Sequence, residues 1–175
     1  TRPVALMTEN TNTPWGERYA KCFEWNNEDE DARSDYEFLS VIAVAEKSNL
    51  FNAPETYMDK IAIGTKQKGI VDLDYSVSKN IKNLADHKNT TPENLTACIL
   101  DRPRHKKHID ELKELNVKLK LISDGDVTGA LLVTNNTHKV DIFLGIGGGP
   151  EGVLAASALD TFGCFFQGKF IFETD

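Results

Sequence analysis

Three short strings and one acidic side chain carry the residue types needed to hold an anionic, hydroxyl-bearing ligand. Asp101-Arg102-Pro103-Arg104 sets two guanidinium groups on either side of a proline. Proline fixes the local backbone and disfavours helix at the residue before it, so both groups belong to one stiff turn. A guanidinium makes two parallel charge-assisted bonds to phosphate, which gives Arg102 and Arg104 one reading as a phosphate fork. The other reading is a solvated basic helix start, continued by His105, Lys106, Lys107 and His108. Asp124-Gly125-Asp126 places two carboxylates around a residue free to adopt almost any backbone angle. One carboxylate could face a ligand hydroxyl or a metal while the other caps the next helix; equally, Asp126 could be an N-cap and Asp124 a turn residue. The run Gly145-Ile146-Gly147-Gly148-Gly149 precedes Pro150 and Glu151. As a loop opening a helix, its N–H groups, that of Gly148 included, could line an anion site at the positive end of the helix dipole. It has neither the ending of a P-loop nor the spacing of a dinucleotide fingerprint. Glu151 in the first turn complements the dipole or ligates a divalent cation beside a phosphate.

The elements around these strings repeat three times. Apolar runs at 95–100, 117–122 and 139–144 each end in one of the strings, and each is followed by a helical pattern: Ile109, Leu112 and Leu115; VTGALLV; GVLAASALDTF. Such alternation implies right-handed crossovers and a parallel sheet, and in open α/β sheets ligands bind at the carboxyl ends of the strands. Two arginines, two aspartates and a glutamate then converge on one edge, the composition of a polyol-phosphate pocket. Mg²⁺ or Mn²⁺ suits such oxygen donors better than zinc. His87, His105, His108 and His138 have no metal-ligand spacing and are expected on solvated surface. The aromatic cluster Phe162–Phe166, with Phe170 and Phe172, reads as core or subunit contact.

The rest of the chain bounds the class. Its 175 residues are 40% hydrophobic and 27% charged, ordinary values for a folded domain with its own core. The net charge of −7 disfavours binding to nucleic acid or an anionic membrane through a general basic field, so any phosphate site is local. No apolar run reaches the roughly 20 residues that span a bilayer, and no signal-peptide pattern opens the chain; a cytoplasmic protein is expected. Cys22, Cys98 and Cys164 read as buried free thiols. Residues 1–37, with the acidic run Glu28–Asp31, read as a divergent loop-rich segment, and 38–175 as the α/β domain. FLSVIAVA (38–45) has the look of a central strand covered on both faces. A helix start is expected near Thr56, a short strand over 60–64, and an amphipathic helix over 75–87 with Ser76 as N-cap. Because the chain begins at Thr1, it is expected to be processed, trimmed or a fragment.

LFNAPETYMDKIAIG (50–64), LDRPRH (100–105), ISDGD (122–126) and GIGGGPEGVLAA (145–156), in this order and spacing, resemble the class II, GlpX-type fructose-1,6-bisphosphatases. The resemblance runs from about Phe38 to Phe172. It implies a layered αβα sandwich with a mainly parallel sheet, of the lithium-sensitive sugar-phosphatase type and incomplete relative to the family. It also implies a metal-dependent phosphatase of gluconeogenesis that removes the 1-phosphate of fructose 1,6-bisphosphate, with sedoheptulose 1,7-bisphosphate as a second substrate, and a homo-oligomer. Residue by residue, it suggests that Tyr57, Arg102 and Arg104 hold substrate phosphate, that Asp124 and Asp126 hold sugar hydroxyls, that Gly148 also binds substrate, and that Glu151 is the catalytic metal ligand for Mg²⁺ or Mn²⁺. The family's upstream D-P-[LI]-[ED]-G-T acids have no match in residues 1–37. That absence keeps a second expectation open: a non-catalytic sugar-phosphate-binding or structural subunit.

Overall fold

From Tyr57 onward the chain alternates, with Met58, Lys60 and Ala62 on one side and Tyr57, Asp59, Ile61 and Ile63 on the other. It forms strand β4, Tyr57–Ile63, where a helix start had been expected near Thr56. The period-two pattern outweighs the Pro54 signal; Pro54 instead makes a tight turn in which its carbonyl accepts from the Thr56 N–H at 2.8 Å. The computed structural model describes residues 53–172 and, as backbone, the earlier strands β1 (Val4–Met7), β2 (Tyr19–Trp25) and β3 (Phe38–Val44).

Four further strands, β5 (Thr96–Leu100), β6 (Lys118–Ile122), β7 (Ile142–Gly148) and β8 (Phe165–Ile171), complete a sheet in the order β6-β5-β7-β4-β8. β5 pairs parallel with β6 and with β7. β4 runs antiparallel to both β7 and β8, so four strands share one direction and β4 opposes them. Helices α1 (Val77–His87) and α2 (Lys106–Glu114) cover one face, where Ile81, Leu84, Ile109 and Leu112 pack on Ile61, Ile63, Ile99 and Ile142. Helices α3 (Asp126–Leu131) and α4 (Gly149–Thr161) cover the other, with Ala130, Ala155 and Leu159 against Ala62, Cys98, Leu100 and Phe143. This is the expected αβα sandwich. Each fully buried Ile or Leu in these layers contributes on the order of 1.5–3 kcal/mol. The N-cap of α1 is Ser76, which accepts from the Lys79 N–H at 3.2 Å. Among the described residues no helix is long and apolar enough to cross a membrane.

The chain divides into two compact units, Thr1–Asn52 and Ala53–Asp175. In the first, β1, β2 and β3 form an antiparallel sheet in that order, with Val4 opposite Glu24 and Tyr19 opposite Val44. Two strands therefore lie within residues 1–37, read above as loop-rich; the aromatic, strand-favouring residues of Tyr19–Trp25 were masked by their Asn- and Pro-rich flanks. β3 takes an outer position in this sheet, not the central one expected of FLSVIAVA, because an apolar run specifies a strand but not its number of neighbours. The acidic run Glu28–Asp31 lies outside the described residues.

Cys98 and Cys164 are free and buried, as expected, and the side chain of Cys22 lies outside the described residues. Burial pushes the Cys98 thiol up to about 11 and raises that of Cys164. Since the thiolate is the nucleophile, both should resist iodoacetamide in the native chain at pH 8 and react once it is unfolded. Peptide mass mapping checks this, and rapid native labelling at Cys98 would contradict the buried position.

Candidate functional site

β7 pairs with β5 only at Ala97–Ile142 and Cys98–Phe143, whereas it follows β4 as far as the Tyr57–Gly148 pair. Beyond Phe143 the side of β7 turned toward β5 is closed by the turn that leaves β5. Pro103 opens a 3-10 turn, Pro103–His105, with Arg102 at its N-cap. From that turn Arg104 Nε donates to the Ile146 carbonyl at 2.8 Å, and His105 Nε2 accepts from the Ile146 N–H at 2.7 Å. The Arg104 guanidinium lies 5.5 Å from the centre of the Tyr57 ring, within cation–π range. Tyr57 is 54% exposed and starts β4; the reversed direction of that strand brings it to the carboxyl ends of its neighbours. Arg102 is half-buried, and its side chain makes no hydrogen bond or ion pair with the described residues.

The turn after β6 is tied to the same edge, since the Asp101 N–H donates to the Ile122 carbonyl at 2.9 Å. Gly125, at φ +80°, is the N-cap of α3, a backbone state that an L side chain rarely adopts. Asp126 is therefore not the N-cap, and its carboxylate instead pairs with Lys60 Nζ. Asp124 is exposed and accepts from the Gly125 N–H through one oxygen at 2.9 Å. Lys60 is 1% exposed and was missed in the sequence. The signal was its place between Met58 and Ala62 on one strand face, both apolar, which points its stem inward.

The glycine run is not a loop. Through Gly148 it is strand β7, laddered to β4, and α4 starts at Gly149, whose N–H donates to the Thr56 carbonyl at 2.8 Å. Neighbouring side chains occupy the space that a Cβ would take along this strand, Phe143 beside Gly145 among them. A Cβ on Gly147 would run into the Asp126 carboxylate and lie 3.2 Å from Lys60 Nζ. A Cβ on Gly148, the last residue of β7 and the N-cap of α4, would collide with the Glu151 carboxylate. Glu151 itself is exposed in the first turn of α4 and makes no hydrogen bond or ion pair with the described residues.

His105 is fully buried rather than solvated, contrary to expectation; His87 and His138 are exposed and His108 is half-buried. His105 continues the apolar stripe of Ile109 and Leu112 at helical spacing, the signal that could have placed it. Desolvation, reinforced by the charges of Arg104 and His108, lowers its pKa to about 4. The ring is thus neutral with Nε2 as acceptor, and hydrogen bonding with the Leu100 backbone offsets part of the shift. On the same strand face as Tyr57, burial raises the carboxyl pKa of Asp59, partly offset by His108.

The topology thus brings Tyr57, Arg102, Arg104, Asp124, Asp126, Gly148 and Glu151 to one edge of one sheet, along adjacent strands. Among the described residues no three His, Cys, Asp or Glu side chains gather into a metal-binding group. Asp126 is committed to Lys60, and Glu151 is a single carboxylate, so the described residues do not by themselves compose a centre for Mg²⁺ or Mn²⁺.

The family of bacterial fructose-1,6-bisphosphatases encoded by glpX matches residues 31–175. The chain belongs to this family. Similar proteins include the "D-fructose 1,6-bisphosphatase class 2/sedoheptulose 1,7-bisphosphatase" of Synechocystis sp., 40% identical over 137 residues, which are 78% of this chain and 40% of that protein. The protein of the same description from Microcystis aeruginosa is 39% identical over 137 residues, with the same shares of the two chains, and that of Gloeobacter violaceus is 37% identical over 137 residues. The chain thus spans about two fifths of the length of these relatives. Every residue from Tyr57 to Glu151 discussed above falls inside the span matched by the glpX family.

Proposed function

We propose that residues 53–172 supply the substrate-binding part of a sugar-bisphosphate 1-phosphatase, which converts fructose 1,6-bisphosphate and water to fructose 6-phosphate and phosphate and also accepts sedoheptulose 1,7-bisphosphate. The observation that carries this reading is the setting of Arg104. Its Nε is held by the Ile146 carbonyl and its guanidinium carbon lies 5.5 Å from the centre of the Tyr57 ring, so the two terminal nitrogens of the fork remain for a phosphate. Arg102, one residue before Pro103, adds a second positive charge to the same turn. The carboxylate of Asp124 and the second oxygen of Asp126, whose first is paired with Lys60, are at the end of the neighbouring strand and serve as acceptors for sugar hydroxyls. A planar fork beside carboxylate acceptors favours a ligand carrying both phosphate and hydroxyl groups. The relatives' descriptions name two such ligands. Mg²⁺ or Mn²⁺ is the cofactor that the family resemblance implies, and Glu151 is the carboxylate that this part of the chain offers it.

Fructose 1,6-bisphosphate should bind the chain in a calorimeter, and Arg104→Ala should weaken that binding by roughly 1.5–3 kcal/mol. Equal affinity in wild type and variant would remove Arg104 from the site. For the protein that carries this chain, phosphate release from fructose 1,6-bisphosphate should depend on Mn²⁺ or Mg²⁺ and fall sharply in Glu151→Gln. Release indifferent to both Glu151→Gln and Arg104→Ala would place the chemistry elsewhere.

A further inference from the structure

We infer that His105 is a positioning residue for Arg104, acting through the backbone of Ile146, and that it sets the direction in which the guanidinium fork meets a phosphate. The inference rests on the reading of Arg104 as a phosphate ligand. Its geometric basis is the way adjacent residues of one turn grip a single residue of β7: the Ile146 N–H donates to His105 Nε2 and the Ile146 carbonyl accepts from Arg104 Nε, at 2.7 and 2.8 Å. On this side of β7 the pairing with β5 has ended at Cys98–Phe143, so the two side chains take the place of a neighbouring strand. A half-buried strand residue needs partners for both its backbone groups, and here it obtains them only if the turn sits at one height against β7.

His105 suits this task in a way that a basic residue would not. A lysine or arginine has no acceptor to offer an N–H, whereas a neutral imidazole has one. The ring is fully buried, and desolvation together with the positive charge of Arg104 opposes its protonation, which preserves the acceptor. Arg104, in contrast, is exposed and long, and without a fixed turn its fork would sample many rotamers that must be given up on binding. With Pro103 stiffening one end of the turn and the His105–Ile146 bond fixing the other, the Nε–H of Arg104 is aimed at one carbonyl and the terminal nitrogens are oriented before ligand arrives.

The bond itself is testable in the unaltered chain. A scalar coupling across it, between the Ile146 amide nitrogen and His105 Nε2, should be measurable by NMR, and the Arg104 Nε–H should exchange slowly with solvent. Absence of the coupling, or fast exchange at Arg104 Nε, would overturn the inference without any variant. For the consequence in binding, His105→Gln carries an amide oxygen that reaches the Nε2 position, whereas the shorter His105→Asn does not. Calorimetry with fructose 1,6-bisphosphate should find H105N weakened by about five- to tenfold and H105Q within about twofold of wild type, with both folded by circular dichroism. Should H105N fail to fold, the coupling and the exchange rate decide. Arg104→Ala, run alongside, separates the two claims. If R104A binds like wild type, the phosphate reading fails and the binding role of His105 falls with it. If R104A is weakened but H105N is not, the inference about His105 alone is wrong.

Discussion

Replacing Asp126 by alanine should lower the unfolding free energy of the chain by about 3–5 kcal/mol, because it leaves a fully buried ammonium without its counter-ion. Among the described residues the surroundings of Lys60 offer no substitute: Met58 and Gly152 line its stem, and Gly147 lies beside the pair. Desolvating a cation is costly, and the partner offsets that cost only while it is present. The converse change, Lys60→Met, should be milder, since it removes the buried charge and fills the same space, leaving a carboxylate that is 13% exposed and can draw on water. The double variant Asp126→Ala/Lys60→Met should recover most of what Asp126→Ala loses. Urea unfolding of the four chains closes the cycle. A cost below about 1 kcal/mol for Asp126→Ala would mean that Lys60 reaches water or another acceptor, contrary to the geometry described.

Acid should weaken the chain through His105. Its pKa lies near 6.5 when the chain is unfolded and at about 4 when folded. Between these values the unfolded chain takes up a proton that the folded chain refuses, so stability falls as pH drops. The contribution is fully present above about pH 6.5 and is lost by about pH 4, a total on the order of 3 kcal/mol. His105→Gln keeps the acceptor and removes the titration. The difference between wild-type and H105Q unfolding free energies, measured from pH 7.5 to 4, should therefore slope across this window, while carboxylate titrations common to both cancel. Parallel curves would show that the imidazole is reached by protons in the folded chain.

The parts of the site that could be read from residues alone were those that punctuate the strand–helix alternation. The turns at Asp101–Arg104 and Asp124–Asp126, and Glu151 at the start of α4, each follow an apolar strand and precede a helix, so chain order places them on one edge. What escaped was anything decided across the sheet. Gly145–Gly148 read as a loop because glycine is depleted in strands. Only the neighbours, the Phe143 ring beside Gly145 and the Asp126–Lys60 pair beside Gly147, explain why side chains are excluded there. Lys60 drew no reading of its own, and His105 read as solvated because polar residues usually are. Each is inside because a single partner from a distant element, Asp126 or Ile146, meets it there. FLSVIAV was legible as a strand but not as an outer one, since that depends on which segments lie beside it.

β7 ends in a stretch that contributes backbone and, apart from Ile146, no side chain, so the edge has a division of labour between a plain floor and four separate suppliers of chemistry. The turn after β5 brings cations, the turn after β6 brings carboxylates, the start of β4 brings an aromatic ring, and the first turn of α4 brings Glu151. The suppliers are anchored at Ile146, through Lys60, by the Gly148 pairing and on the helix itself, and three of them also meet one another, through the Asp101–Ile122 bond and the approach of Arg104 to Tyr57. Exchange of Glu151, which is exposed and makes no hydrogen bond with the described residues, leaves these anchors as they are. A residue added to the floor at Gly147, by contrast, would push on the Asp126–Lys60 pair and reach the buried layer beneath it in the same step.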